Sequence, residues 1–495
     1  MGRFCYRGRM DGTGEGVPAI GAAARLRAVA PWRVEARAML GLAWPIALTN
    51  LSQIALLLTD TLLLGRLGTE ALAAATLGVN LYWALLAPLF GLAQAAAPML
   101  AQARGAGRRT DAPRRGWIRE MRRSARQALW AVALLTLPVW AVLWHAEALL
   151  LALGQEPGLA RLAGDYILAL MWGLPLFGTF VVLRGFLAAM ERPEAALWVS
   201  LAGLAVNALL GWLLILGGWG APRLGLVGAG LASTLANLFM LAALLLAIRR
   251  DRQLRRFRLL GHLWRPDWLR FREVFRIGLP IAGQMWLEIG LFATAALVMG
   301  WLGAVAVAAH AIAVQMATTT FMVPMGIGQA ATARVGLAAG AGDAAGAERA
   351  GRVAIVIGAG FMAAMAGLLV LGAEALPWLF LNAMDPGAPA VAAAGAMLLV
   401  IAGLFQLADG VQVVAAGALR GLKDTRVPML LAAAGYWGLG LPLGLVLGFP
   451  LGLGATGIWI GLAAGLALVA GLLLLRWRRL AGASLRSARV ETPGA

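Results

Sequence analysis

Three carboxylates, Asp60, Glu288 and Asp409, lie deep inside long apolar runs of the chain. An ionisable side chain within a membrane span is costly, so each is a candidate for function. A carboxylate so placed can take a proton, ligate a small cation or attract a cationic solute. Each has polar company at helical spacing. Gln53 precedes Asp60 by two turns with Asn50 nearby, and Gln284 lies one turn before Glu288. Gln406, Asp409 and Gln412 recur every three residues as a stripe. Such stripes line water-filled cavities, supply oxygen ligands or relay protons. Asn207 joins Asn50, Gln53, Gln284, Gln406 and Gln412 as a candidate cavity-lining residue. The alternative for each acid is a neutral or hydrogen-bonded carboxyl that serves helix packing.

Other reactive residue types offer less. Cys5 is the only cysteine, so internal disulfides and cysteine-based metal clusters are excluded. His145, His262 and His310 are far apart with no ligand spacing, and His310, near a span end, reads as an interfacial hydrogen-bonder. No Gly-rich segment carries the Lys-Ser/Thr of a nucleotide-binding loop, so transport here would run on an ion gradient.

The elements that hold these residues follow from composition. Of 495 residues, 61% are apolar and 13% charged, about half the charged share of soluble domains. A water-soluble fold could not bury that much apolar surface, so the chain reads as an all-α polytopic membrane protein. Twelve runs are long enough to span a bilayer. They fall near 39–64, 71–101, 128–153, 162–190, 195–216, 227–248, 277–300, 304–335, 353–380, 391–419, 429–447 and 455–475. Pro45, Pro88, Pro138, Pro175, Pro280, Pro324 and Pro442 lie within them and mark expected kinks.

The net charge of +19 comes almost entirely from arginines. They cluster after the second span (Arg104, Arg114, Arg115, Arg126 and neighbours), in the central connection (Arg249 to Arg276) and after the last span. That pattern fits cytoplasmic loops and anionic membrane lipid rather than nucleic acid, and it places both termini in the cytoplasm. The expected divisions are a disordered cytoplasmic N-terminus (1–38), a first lobe (39–248), a basic cytoplasmic linker (249–276), a second lobe (277–475) and a cytoplasmic tail (476–495).

The chain repeats itself. Trp44–Gly107 lies without a gap on Leu279–Gly342, pairing Pro45 with Pro280, Gly91 with Gly326, Gln94 with Gln329, and Gly105-Ala106-Gly107 with Gly340-Ala341-Gly342. Leu183-Arg184-Gly185 recurs as Leu419-Arg420-Gly421. Two six-helix lobes related by a pseudo-two-fold axis follow, with a path between them. The deep acids are not repeated, since Glu288 aligns with Gln53 and Asp60 with Ala295. The lobes have divided their labour.

Several segments resemble the multidrug and toxic compound extrusion (MATE) family in its bacterial NorM-like branch. They are Asp60-Thr61 with Gly65-Arg66-Leu67-Gly68, Pro280 with Glu288, Ala309-His310, Gly328-Gln329-Ala330, and Asp409-Gly410-Val411-Gln412 running to Gly421-Leu422-Lys423-Asp424-Thr425. The resemblance covers nearly the whole chain from Met39 to Leu475. It implies a secondary antiporter of the bacterial cytoplasmic (inner) membrane, not an enzyme. Such a protein exports organic, often cationic, drugs in exchange for Na⁺ or H⁺ by alternating access. The resemblance makes Asp60, Glu288 and Asp409 the ion-coupling residues, with Glu288 and Asp409 a site for Na⁺ or a proton, no cofactor beyond the coupling ion, and a monomer. The family's asparagine pair in the fifth helix is represented by Asn207 alone, with Gly203 at the other position. A lipid-linked oligosaccharide flippase of the same superfamily is the alternative, and a membrane-embedded transferase a more distant one. A flippase would call for cationic residues in the central cavity. Arg184 and Arg334 are the nearest intramembrane bases, and the sequence puts both at span ends.

Overall fold

A computed structural model describes the backbone of residues 19–109, 116–220, 222–259, 261, 263–382 and 384–490, with side chains between residues 31 and 482 of that set. Eleven of the described helices are long and apolar enough to cross a membrane, and one bent pair makes a twelfth. They are α1 (Pro31–Gly65), α2 (Thr69–Ala106), α3 (Gly116–Trp144), α4 (Pro157–Leu170 with Gly173–Ala189), α5 (Glu194–Leu216) and α6 (Gly225–Arg250). The second half gives α7 (Trp268–Trp301), α8 (Ala304–Ala341), α9 (Ala344–Leu371), α10 (Ala388–Gly421), α11 (Arg426–Gly448) and α12 (Gly454–Gly482). The chain is therefore an all-helical, multi-pass membrane protein.

Proline has unequal effects among these helices. α1 runs unbroken through Pro45. α4 bends by 47° between its two parts. Pro175 has no N–H for the carbonyl four residues back, that of Met171. The Trp140 indole donates to this carbonyl at 2.8 Å, so the break is hydrogen-bonded rather than frayed. α11 widens into π-helical turns at Ala434–Gly440, just before Pro442. Wide turns of this kind re-aim side chains and recur at functional sites.

Three expected boundaries are corrected. The stretch through residue 38 is not disordered throughout: the backbone is helical from Ala19, continuous with α1. Its alanine and arginine content favours helix, and buried Glu35 is held by Arg334. The ninth span, expected to reach Phe380, ends at Leu371, and a single 3₁₀ turn at Leu376–Leu379 begins with Pro377 near its start. The last helix continues through the expected tail to Val490. Residues 1–18 with Cys5, and Arg114, Arg115 and His262, lie outside the described residues.

Two buried apolar cores organise the molecule, and each borrows from the other half. Val274, Ile277 and Ile281 of α7 belong to the first core. Their repeat mates in α1, with Met39, Leu42, Ala43 and Ile46, belong to the second. So α1 packs on α8 and α2 packs on α7. Glycines permit both crossings. A Cβ on Gly91 would stand 2.7 Å from Ala282, and one on Gly326 would stand 2.7 Å from Ala47. These pairs are symmetry mates, so the sequence repeat is also a packing repeat.

Candidate ion-coupling and substrate site

Asp60 sits on α1, 5% exposed, one turn from the end of the helix. Its Oδ1 accepts from Asn207 Nδ2 of α5 at 2.7 Å, and its Oδ2 accepts from Ser233 Oγ of α6 at 2.6 Å. Three helices thus converge on one carboxylate. Gln53, Tyr82, Tyr166 and Asn237 line a small cavity with it, of about 80 Å³. Asn50 is elsewhere. Its Oδ1 accepts from Arg184 Nη1 at 3.1 Å, and it does not line the Asp60 cavity. The expected Asn50–Gln53–Asp60 stripe is therefore split between two environments.

Ser233 was not singled out from the sequence, because a serine in a helix is ordinary. The absent asparagine has a physical counterpart. A Cβ on Gly203 would collide with the Met240 side chain, so that position is filled by a thioether. Ser233 supplies the second hydrogen bond.

In the second lobe, Asp409 of α10 is 6% exposed and its Oδ1 has no hydrogen-bond partner. It and Glu288 of α7 are close enough for each to feel the other's charge. Tyr436, carried by the π-helical turns of α11, lies within the influence of both acids and accepts a hydrogen bond from Gln412 Nε2. Gln412 Oε1 and both amide atoms of Gln406 are buried without partners. Unpaired buried acceptors gathered around two acids call for a proton, a small cation or ordered water. Among the described residues no group of three or more His, Cys, Asp and Glu gathers. A Na⁺ here would take two carboxylates with amide and phenol oxygens, a hard-donor set suited to it. Tyr436, like Ser233, is a residue that sequence reasoning missed, and only the partner helix reveals it.

Glu288 and Gln284 face a cleft of about 460 Å³ between the lobes. Trp83, Phe90, Phe292 and Phe321 form its wall with aliphatic and thioether neighbours such as Met322 and Met325, and Arg420 also lines it. A mostly apolar cleft with few polar groups is the usual form of a small-molecule site. His310 does form a hydrogen bond, within the protein. It is buried, and its Nδ1 accepts from the Trp459 indole at 3.2 Å.

Two pseudo-symmetric lobes, a shared apolar cleft and buried acids define a polytopic transporter. The chain belongs to the MatE family, whose description matches residues 45–213 and 280–446. "Probable multidrug resistance protein NorM" of Mesorhizobium japonicum is 49% identical over 449 residues, covering 90% of this chain and 94% of that one. The protein of the same name from Brucella suis is 46% identical over 448 residues, again 90% and 94%. Among solved structures, the eukaryotic MATE transporter AtDTX14 superposes with a TM-score of 0.79 at 21% identity, covering 92% of this chain and 99% of that one. The Vibrio cholerae MATE transporter VcmN in its bent form gives 0.80 at 18%, with the same coverage. These two establish the fold. Membership in a transporter family displaces the reading of a membrane-embedded transferase.

Proposed function

We propose that this protein is a secondary antiporter, acting as a monomer, that exports organic and often cationic drugs in exchange for Na⁺ or H⁺ by alternating access. The observation that carries the reading is the aromatic cleft between the lobes with Glu288 in its wall and Asp409 beside it. The name shared by the Mesorhizobium and Brucella relatives supports drugs as the substrate class. Arg420 in the lining of the cleft is a feature the flippase reading would use. High identity to drug-resistance relatives weighs against that reading.

Asp60 is proposed as the coupling acid of the first lobe. In proteoliposomes holding on average fewer than one chain each, an imposed Na⁺ or pH gradient should drive uptake of a lipophilic cation. Drug binding in detergent should weaken as the coupling ion rises, and by linkage the antagonism is reciprocal. Asp60→Asn should flatten that dependence while Asn207 and Ser233 remain. Uptake that ignores both gradients refutes the antiporter, and an undiminished ion dependence in Asp60→Asn removes that residue from coupling.

We also propose that both termini and the basic connections face the cytoplasm. In a Cys5-free background, Arg119→Cys and Arg252→Cys should resist an impermeant thiol reagent added to intact cells. Trp219→Cys, in a short connection at the opposite side, should react at once. Rapid labelling of the first two would invert the topology.

A further inference from the structure

A groove of about 310 Å³ opens where α7 meets the connection between α10 and α11. Arg276, Lys423, Thr425 and Arg426 line it, with the acids Glu273 and Asp424. None of these residues lines the drug cleft or the Asp60 cavity. Contacts on either side bring its two walls together. Lys423 Nζ donates to Glu273 Oε1 at 2.7 Å, and a Cβ on Gly283 of α7 would stand 2.7 Å from Met429 Sδ of α11. Arg276 lies between Glu273 and Gly283 on one wall, and Arg426 lies between Lys423 and Met429 on the other.

The acids of the groove do not balance these two arginines. Glu273 is engaged by Lys423 and Arg270, and Asp424 by Arg476 at 3.0 Å. Arg276 and Arg426 are exposed and form no ion pair or hydrogen bond among the described residues. Two positive charges thus border one groove whose acids are already paired, which favours an anion there. Depth adds to charge. Arg276 immediately precedes the apolar run 277–300, and Arg426 stands three residues before the run 429–447. One turn deeper on the same face of each helix, Leu279 and Leu430 are exposed. The ligand that matches has a negative group at the membrane surface and hydrocarbon directly beneath it.

We infer that this groove holds the headgroup of one anionic phospholipid, such as phosphatidylglycerol. Arg276 and Arg426 attract its phosphate from the two walls, and its acyl chains lie over Leu279 and Leu430. A volume of about 310 Å³ is that of a small-molecule site and accommodates a glycerophosphate group. Basic pockets between spans recognise lipid headgroups in this way. A free phosphate ion would use the arginines and leave the two leucines without a role. α7 carries Glu288 and α11 carries Tyr436, so the lipid touches both helices that bring those groups to the second-lobe acids.

The probe is phosphatidylglycerol with a photoreactive diazirine near the top of one acyl chain, at a small share in phosphatidylcholine nanodiscs holding the full-length protein. Illumination should label the peptides containing Leu279 and Leu430. Plain phosphatidylglycerol should compete, inorganic phosphate should not, and a diazirine phosphatidylcholine should label these peptides weakly. The Arg276→Gln/Arg426→Gln double variant should lower the affinity roughly tenfold or more, the scale of two basic residues at an anionic membrane surface. Arg249→Gln/Arg252→Gln removes the same charge from the central connection and should leave the labelling unchanged. Absence of label on both peptides in the wild type overturns the assignment, whether or not the variants fold. Competition by inorganic phosphate replaces the lipid with a free anion and overturns it too. So does an equal loss in the two double variants, which would mean diffuse surface attraction only.

Discussion

Glu288→Gln and Asp409→Asn should each reduce ion-driven drug export to background while the protein accumulates in the membrane at near normal levels. The two acids share one buried neighbourhood with Tyr436 and Gln412. A proton or cation held there satisfies both, and either amide removes the charge that attracts it while keeping the shape. Unpaired acceptors are already tolerated at Gln406 and Gln412, so an added amide should not unfold the lobe. Tyr436→Phe removes one oxygen and leaves both acids, so its effect should be a few-fold change in ion affinity rather than loss. Export assays paired with membrane quantification separate these outcomes. If both acid variants pump at wild-type rates, the second-lobe site is elsewhere.

The second large effect is expected at Glu191, in the connection between α4 and α5. Its carboxylate is paired with Arg104 at 2.9 Å, with Arg108 at 3.2 Å and with Arg334, and Arg334 reaches on to Glu35 at 2.6 Å. Arg104 and Arg108 belong to the first lobe and Arg334 to the second, so one acid clasps the halves together. Glu191→Gln leaves three guanidiniums near each other with less compensation. Breaking a buried pair costs about 3–5 kcal/mol, and partial solvent exposure here reduces this to roughly 1–3 kcal/mol. The lobes should part more readily at this end. Thr332→Cys, buried in that closed face in a Cys5-free background, should then react faster with a thiol reagent when Glu191 is Gln.

The same clasp has a defined pH response. Burial raises the Glu191 pKa, but Arg104, Arg334 and Arg108 lower it by more, and the net value falls below the ordinary 4.5. A carboxylate with a depressed value stabilises the folded arrangement above 4.5 and loses that contribution as the pH drops through its lowered value. Between pH 7 and 5 the thiolate fraction falls alike in both proteins, so the ratio of Thr332→Cys labelling rates in Glu191→Gln and in the otherwise wild-type protein should be constant and above one. Below about 4.5 that ratio should fall toward one, because the wild-type Glu191 carboxylate then loses its charge as well.

The sequence made the deep acids conspicuous because a carboxylate in an apolar run has no ordinary explanation. It made the lobes conspicuous because Gly91 and Gly326 occupy equivalent places for the same steric reason. Partners were harder to read. Ser233 and Tyr436 are unremarkable in a helix, and what matters is which neighbouring helix faces them. Arg184 stood next to a connection and read as a span-end base, yet the lobes close over it. Prolines marked possible kinks without ranking them. α4 bends at Pro175, where Trp140 caps the freed carbonyl, while α1 passes Pro45 unbroken. Gly203 marked a missing asparagine, but that Met240 fills the place depends on helix approach and not on spacing.

The exchange of α1 and α7 between the two cores also bears on how the molecule is assembled during synthesis. When α6 is complete, the first half of α1 has been made but its seat beside α8 has not. Met39, Leu42, Ala43 and Ile46 must remain against lipid or a temporary neighbour until the second half arrives. The first half, meanwhile, lacks Val274, Ile277 and Ile281 to close its own core. A chain severed at the central connection would therefore yield two fragments, each with a vacant groove and a surplus helix end, that complete one another only as a pair.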